Sequence, residues 1–180
     1  MKAGLRMVYS PTRLAARMAS LGRSISRDYS GRTLHVVILL ENAFVFAADL
    51  LRRISCPVVC HFVRSEMRDV KMDGHDRREV FFSRQPPLKG RDVLLIDAVL
   101  RSGVTQDFLL KRLLESRPRS LRLAVLVDKP EDRRVDLKPD YFGFAAASKY
   151  YVGYGLAGNQ GQFRNVPYIC VARAGARRVR

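Results

Sequence analysis

Tryptophan is absent, and no apolar run approaches the roughly 20 residues that a bilayer-spanning helix needs, so a soluble protein with no membrane partner is expected. Cysteine is scarce: Cys56, Cys60 and Cys170 form no zinc-binding spacing and sit among apolar residues. They predict reduced thiols buried in a core, in a reducing compartment. Acid is the other shortage. Asp and Glu number 17 against 33 Lys and Arg, a net charge of +16, and residues 1–27 contain no acid at all. More than half of the excess lies in residues 1–31 and in the tail bearing Arg173, Arg177, Arg178 and Arg180. Ends of that kind attract polyanions, above all nucleic acid, through counterion release. The candidate RNA contacts are Lys2, Arg6, Arg13, Arg173, Arg177, Arg178 and Arg180.

What is present is a single domain's worth of alternating strand and helix signals in 180 residues. Ser10-Pro11 marks a helix start, and Leu14, Met18, Leu21 and Ile25 recur at helical spacing, predicting a helix over 10–27. The same acid-free, Arg- and Ser-rich composition is that of an organellar transit peptide. Residues 1–9 are therefore expected to be a basic extension or targeting remnant, 10–172 the folded domain, and 173–180 a basic tail. Leu34–Leu40 reads as a strand buried on both faces, Phe44–Arg53 as a helix and Pro57–Val63 as a second strand. Residues 64–90 read as a long excursion or a hairpin in which only Val80–Phe82 is strand-like. Leu121–Val127, Tyr141–Ala145, Tyr150–Tyr154 and Tyr168–Val171 complete the strands. The aromatics at 141, 142, 144, 150, 151 and 154 are either core or a platform for a planar ring.

The stretch Val93–Thr105 is the most informative. Four branched apolar residues are cut off by Asp97, and a turn with Ser102, Gly103 and Thr105 leads into a helix running to Leu114. A continuous apolar strand implies a parallel sheet covered on both faces. A Ser-Gly-x-Thr turn opening a helix offers backbone N–H groups and hydroxyls to an anion, at the strand end where open α/β sheets bind ligands. An ordinary strand-to-helix turn has the same local pattern.

In order along residues 8–172, several patches resemble the hypoxanthine-guanine phosphoribosyltransferases. They are Ile25-Ser26-Arg27-Asp28-Tyr29, Phe46–Leu51, Val93–Thr105, Val127-Asp128-Lys129-Pro130, Pro139-Asp140-Tyr141, Val152-Gly153-Tyr154-Gly155-Leu156 and Phe163–Ile169. The resemblance implies a type I phosphoribosyltransferase fold: a central, mostly parallel sheet flanked by helices, with a small hood of short strands. It implies transfer of a phosphoribosyl group from a magnesium-bound diphosphate donor to a purine nitrogen. Carried over by position, Asp97 is a ribose acid, and Ser102, Gly103 and Thr105 are the 5′-phosphate turn. Lys129, Tyr150 and Tyr151 are the purine side, and Arg164 lies near the pyrophosphate.

The same comparison exposes departures. The second ribose acid is Ala98. The general base is Arg101, which cannot accept a proton. The pyrophosphate loop Lys-Gly-Gly is Glu41-Asn42-Ala43, the covering Ser-Tyr is Ser65-Glu66, and the late magnesium-holding Asp is Ala157. The leading expectation is accordingly a non-catalytic member, with no catalytic residue and no cofactor, kept as a subunit of an RNA-containing complex such as an organellar ribosome. A mitochondrial or other organellar matrix is the expected compartment, with the cytoplasm as the alternative. Two other readings stand beside it. One is a purine-monophosphate-binding regulator or partner of an active relative, as a homo- or heterodimer. The other is a weakly active purine-salvage transferase, which alone would require magnesium.

Overall fold

The computed structural model describes residues 5–72, 75–82, 86–147 and 149–172. Its centre is a six-stranded sheet in the order β4-β3-β2-β5-β6-β7. The strands are β2 (Leu34–Leu40), β3 (Val58–Met72), β4 (His75–Phe82), β5 (Asp92–Leu100), β6 (Ser120–Asp128) and β7 (Tyr141–Ala145). All neighbours are parallel except the β3–β4 hairpin. A second, antiparallel sheet of β1 (Leu5–Tyr9), β9 (Ile169–Ala172) and β8 (Tyr151–Val152) forms the hood.

Helices cover both faces, which is why β2 and β5 carry continuous apolar runs at 36–40 and 93–96 rather than alternation. Helix α1 (Pro11–Asp28) is capped by Ser10, whose hydroxyl accepts from the Arg13 N–H at 3.2 Å. Its apolar stripe, Leu14, Met18, Leu21 and Ile25, is buried as the spacing predicts. It packs with Phe46, Ala47 and Leu50 of α2 (Phe44–Leu51) on Val36, Ile38, Leu94, Ile96 and Leu126. On the other face, Leu109 and Leu113 of α3 (Val104–Leu114) meet Val37, Leu39, Leu95 and Val125.

Several sequence expectations are corrected. The second strand does not stop at Val63 but runs on to Met72, paired residue by residue with β4 from Ser65↔Phe82 to Met72↔His75. The hairpin alternative for 64–90 therefore holds, with strand structure well beyond the strand-like Val80–Phe82, because a two-stranded arm does not need an apolar face along its whole length. Within residues 1–9, Leu5–Tyr9 is a strand with Leu5 and Tyr9 buried, and Tyr9 stacks on Phe144 at 4.0 Å. Its partner β9 lies near the other end of the chain, so no local pattern announces the pairing. The fifth strand extends past Ile96 to Leu100, and the strand expected over Tyr150–Tyr154 is only Tyr151–Val152. That short strand and β7 are each the edge strand of a different sheet. Of the cysteines, only Cys170 is buried; Cys56 is half-buried and Cys60 exposed, all three as free thiols.

The anion-type turn also sets a steric requirement. Gly103 caps α3 with φ 82°, in the left-handed region, and a Cβ there would stand 2.7 Å from Val135 Cγ2. A Gly103→Ala variant is expected to lose about 2 kcal/mol from the strained backbone alone, measured by urea denaturation. Unchanged stability would show that the turn relaxes freely.

Candidate active site

The carboxyl ends of three adjacent parallel strands, β2, β5 and β6, carry the segments 41–43, 101–105 and 129. This is the crevice position at which open α/β sheets bind ligands. Backbone hydrogen bonds lock the segments together: Lys129 N–H donates to the Leu100 carbonyl at 3.0 Å and Arg134 N–H to that of Ser102 at 2.9 Å. Lys129 and the Ser102–Thr105 turn are therefore held in fixed register with each other.

Lys129 is only 7% exposed. Its amine donates to the Lys149 carbonyl at 2.5 Å and lies 5.0 Å from the Tyr151 ring centroid, a cation–π distance. Burial pulls its pKa below the ordinary lysine value, Asp132 pulls it back, and Arg101 pushes it down. Tyr151 is buried, while Tyr150 is 53% exposed with its hydroxyl donating to the Ala157 carbonyl at 2.8 Å. The aromatic cluster is thus mostly core: Tyr141, Phe144, Tyr151 and Tyr154 are buried, and Phe142 and Tyr150 present exposed ring surface.

On β5, Asp97 points beneath the first turn of α3. One oxygen accepts the Ala98 N–H at 2.6 Å and the other accepts from the Gln106 side chain, which also donates to the Val99 carbonyl at 3.3 Å. Burial raises the Asp97 pKa to about 6, against the pull of those two hydrogen bonds. Sequence reasoning misses Gln106. A polar residue shortly after a Ser-Gly turn carries no motif, and only the fold brings it under the strand. Ser102 and Thr105 are half-buried on the turn, and Arg101 is exposed, paired with Asp132 at 3.3 Å.

The third segment is Glu41-Asn42-Ala43. Arg164 reaches it from the hood, donating to Asn42 Oδ1 at 2.6 Å and to the Gly155 carbonyl at 2.7 Å. Gly155, at φ 92°, lies so close that a Cβ would stand 2.8 Å from the Asn42 carbonyl. Asp97, the 102–105 turn and Lys129 lie on or just after the neighbouring strands β5 and β6. Tyr151 meets Lys129, Arg164 reaches the 41–43 segment, and Tyr150 bonds instead to Ala157. Ser65-Glu66 is in β3, and its side chains lie outside the described residues. The magnesium implied by the family is poorly served by this donor set. Its late acid is Ala157, and both oxygens of Asp97 are already engaged. No cluster of three His, Cys, Asp or Glu exists among the described residues.

Of the candidate RNA contacts, Lys2, Arg173, Arg177, Arg178 and Arg180 lie outside the described residues. Arg6 is exposed on β1. Arg13 is exposed and stacks over Tyr9 and Phe144, at 5.0 and 5.5 Å.

A sheet of this order with a hood over its carboxyl edge and a Ser-Gly-x-Thr turn at its centre defines a phosphoribosyltransferase-type protein. The family model for the phosphoribosyl transferase domain matches residues 6–157. The hypoxanthine-guanine phosphoribosyltransferase of Lactococcus lactis is 31% identical over 174 residues, covering 96% of this chain and 93% of that protein. The hypoxanthine phosphoribosyltransferase of Salmonella typhimurium is 30% identical over 171 residues, with coverages of 94% and 96%. Among solved structures, a hypoxanthine-guanine phosphoribosyltransferase from Bacillus anthracis superposes with a TM-score of 0.83 at 30% identity, over 92% of this chain and 96% of that one. The chain belongs to the hypoxanthine-guanine phosphoribosyltransferase family.

Proposed function

We propose that this protein is a purine phosphoribosyltransferase of low turnover, binding a purine 5′-monophosphate in the crevice and forming it slowly from hypoxanthine or guanine. The observation that carries the reading is the backbone link from Lys129 to Leu100, which holds a desolvated amine in fixed register with the Ser102–Thr105 turn. In this reading Lys129 donates to the exocyclic oxygen of the purine and Tyr150 stacks on its ring. The α3 N-terminus, with Ser102 and Thr105, holds the phosphate. Near-full coverage by relatives named for this activity supports the same reading over that of a ribonucleoprotein subunit.

The expected weakness has a stated source. Arg101 stands where the family has its base, so the proton leaving the purine nitrogen goes to water. A positioned base is worth roughly 10²- to 10⁴-fold. No step here runs through a protein-held metal; magnesium accompanies the donor. The test has two arms. Calorimetry with guanosine and inosine monophosphates should detect binding that Lys129→Ala weakens about tenfold or more, roughly the loss of one charge-assisted hydrogen bond. A coupled assay with purine, phosphoribosyl diphosphate and magnesium should detect slow turnover. Absence of nucleotide binding at millimolar ligand by the folded protein would refute the reading.

A second reading, a non-catalytic subunit of an RNA-containing complex, is favoured by the net charge and by the engagement of Arg101 with Asp132. It predicts RNA binding that falls steeply with salt and is lost when Arg173, Arg177, Arg178 and Arg180 become alanine. Charge substitution is preferable to deleting residues 1–12, because Leu5 and Tyr9 are buried.

A further inference from the structure

Two arginines far apart in sequence converge on one exposed carboxylate. Glu41 Oε1 lies 3.1 Å from Arg64 Nη2, at the end of the β2–β3 ladder, and Glu41 Oε2 lies 3.4 Å from Arg164 Nη2, on the hood. The carboxylate is 55% exposed, so burial does not hold it there. The N-terminus of α2 follows directly, capped by Ala43 without a side-chain hydrogen bond and with no acid in its first turn. Two guanidiniums brought to one point, next in sequence to a helix start, make an anion site, here filled by the chain's own side chain.

We infer that Glu41 is an internal anion that sets the ligand preference of this site, excluding an external diphosphate group from the space between Arg64 and Arg164. The phosphate-type turn at Ser102–Thr105 lies on the neighbouring strand end and is not engaged by Glu41, so a monophosphate remains accepted while a diphosphate must displace a like-charged group. Each guanidinium that Glu41 occupies is also screened from an incoming anion, which adds to the repulsion. The inference deepens the transferase reading, and its consequence for catalysis rests on that reading: a weak hold on the diphosphate donor. Its binding consequence does not, because inorganic pyrophosphate probes the arginine pair directly.

The experiment is calorimetric titration of the full-length protein with inorganic pyrophosphate, comparing the parent protein with Glu41→Gln. Glutamine keeps the size and removes the charge, and at an exposed position it leaves thermal unfolding in place as a check on folding. Pyrophosphate affinity should rise at least tenfold in Glu41→Gln, and adding Arg164→Ala should abolish that gain. An equal affinity in parent and Glu41→Gln, or a gain that survives Arg164→Ala, would overturn the inference. Guanosine monophosphate binding by the same two proteins separates the cases. If it is absent in both while the pyrophosphate gain is seen, Glu41 acts as stated and the transferase reading fails; if it is present in both without the gain, the reverse holds.

Discussion

Replacing Asp92 by alanine is expected to remove about 3 kcal/mol of stability, measured by urea denaturation at pH 7. Asp92 opens β5 at the sheet edge opposite the crevice and is fully buried. Its carboxylate accepts from Arg32 at 3.3 Å, from Ser120 at 2.6 Å and from Arg119. Breaking a buried ion pair by removing one partner typically costs about 3–5 kcal/mol, because the remaining charge is left uncompensated. Arg32 and Arg119 are 40% and 56% exposed and recover part of their hydration, which argues for the lower end. Burial alone would raise the Asp92 pKa, but the bonds from Arg119 and Ser120 and the charge of Arg32 outweigh it and hold it below the ordinary value. A group so depressed stabilises the fold above the unfolded carboxylate pKa, near about 4, and that contribution is lost as pH falls through the lower, folded value. Asp92→Ala should therefore differ least from the parent in strong acid. A loss below about 1 kcal/mol at pH 7 would mean that the arginines and Ser120 find water as readily as they find Asp92.

Asp97→Asn is expected to act in the opposite direction, raising stability at pH 7 by about 2 kcal/mol. The folded pKa of Asp97, about 6, lies above the unfolded value of roughly 4, so the native state favours the neutral acid. Its contribution is fully present below about pH 4, declines as pH rises toward 6, and is then gone, with the ionised carboxylate held at a penalty of about 3 kcal/mol. Asparagine cannot ionise. Its oxygen can keep the Ala98 N–H bond, and its amide can face a reoriented Gln106 amide, so most of the penalty is removed. The signature is the pH profile: the stability difference between variant and parent should shrink steadily from pH 7 to pH 4. A destabilised Asp97→Asn protein with a parallel profile would show that the carboxylate's charge is needed where it stands. The same variant bears on function. If Asp97 grips ribose hydroxyls, a more stable protein should turn over more slowly, the trade expected when a strained polar group serves a site.

These two acids sit on one strand, five residues apart, and their sequence contexts are unremarkable. Asp92 precedes an apolar run and Asp97 ends it, yet one is held charged by two arginines and the other is pushed toward neutrality beside a lone amide. Arg32 comes from the link between α1 and β2, while Gln106 of α3 and Arg119 both belong to the crossover from β5 to β6, and their approach to β5 is set by the fold rather than by any local pattern. The same is true of the crevice. Lys129, the Ser102–Thr105 turn and Arg164 could be pointed to by resemblance, but Arg101 turning to Asp132 and Glu41 taking two arginines are facts of three-dimensional placement.

By itself, the sequence determined the elements whose signal is local. The helical spacing of Leu14, Met18, Leu21 and Ile25 fixed α1 and its buried face, and the largely apolar runs at 34–40, 93–96 and 121–127, interrupted only by His35 and Arg122, fixed a parallel sheet covered on both sides. The order of the family patches fixed the topology and membership. Tertiary structure decided what depends on distant partners. The arm of β3 and β4 is held by ladder bonds that polar residues can make as well as apolar ones. Residues 5–9 became a strand because β9 offers an edge. Cys60 is exposed, as are Val59 and Phe62 on the same strand, so the apolar residues of 58–62 did not signal burial. Burial and charge at Asp97, Asp92 and Glu41 likewise follow from neighbours the chain meets only once folded, and it is these neighbours, more than the motif, that govern the chemistry the crevice can perform.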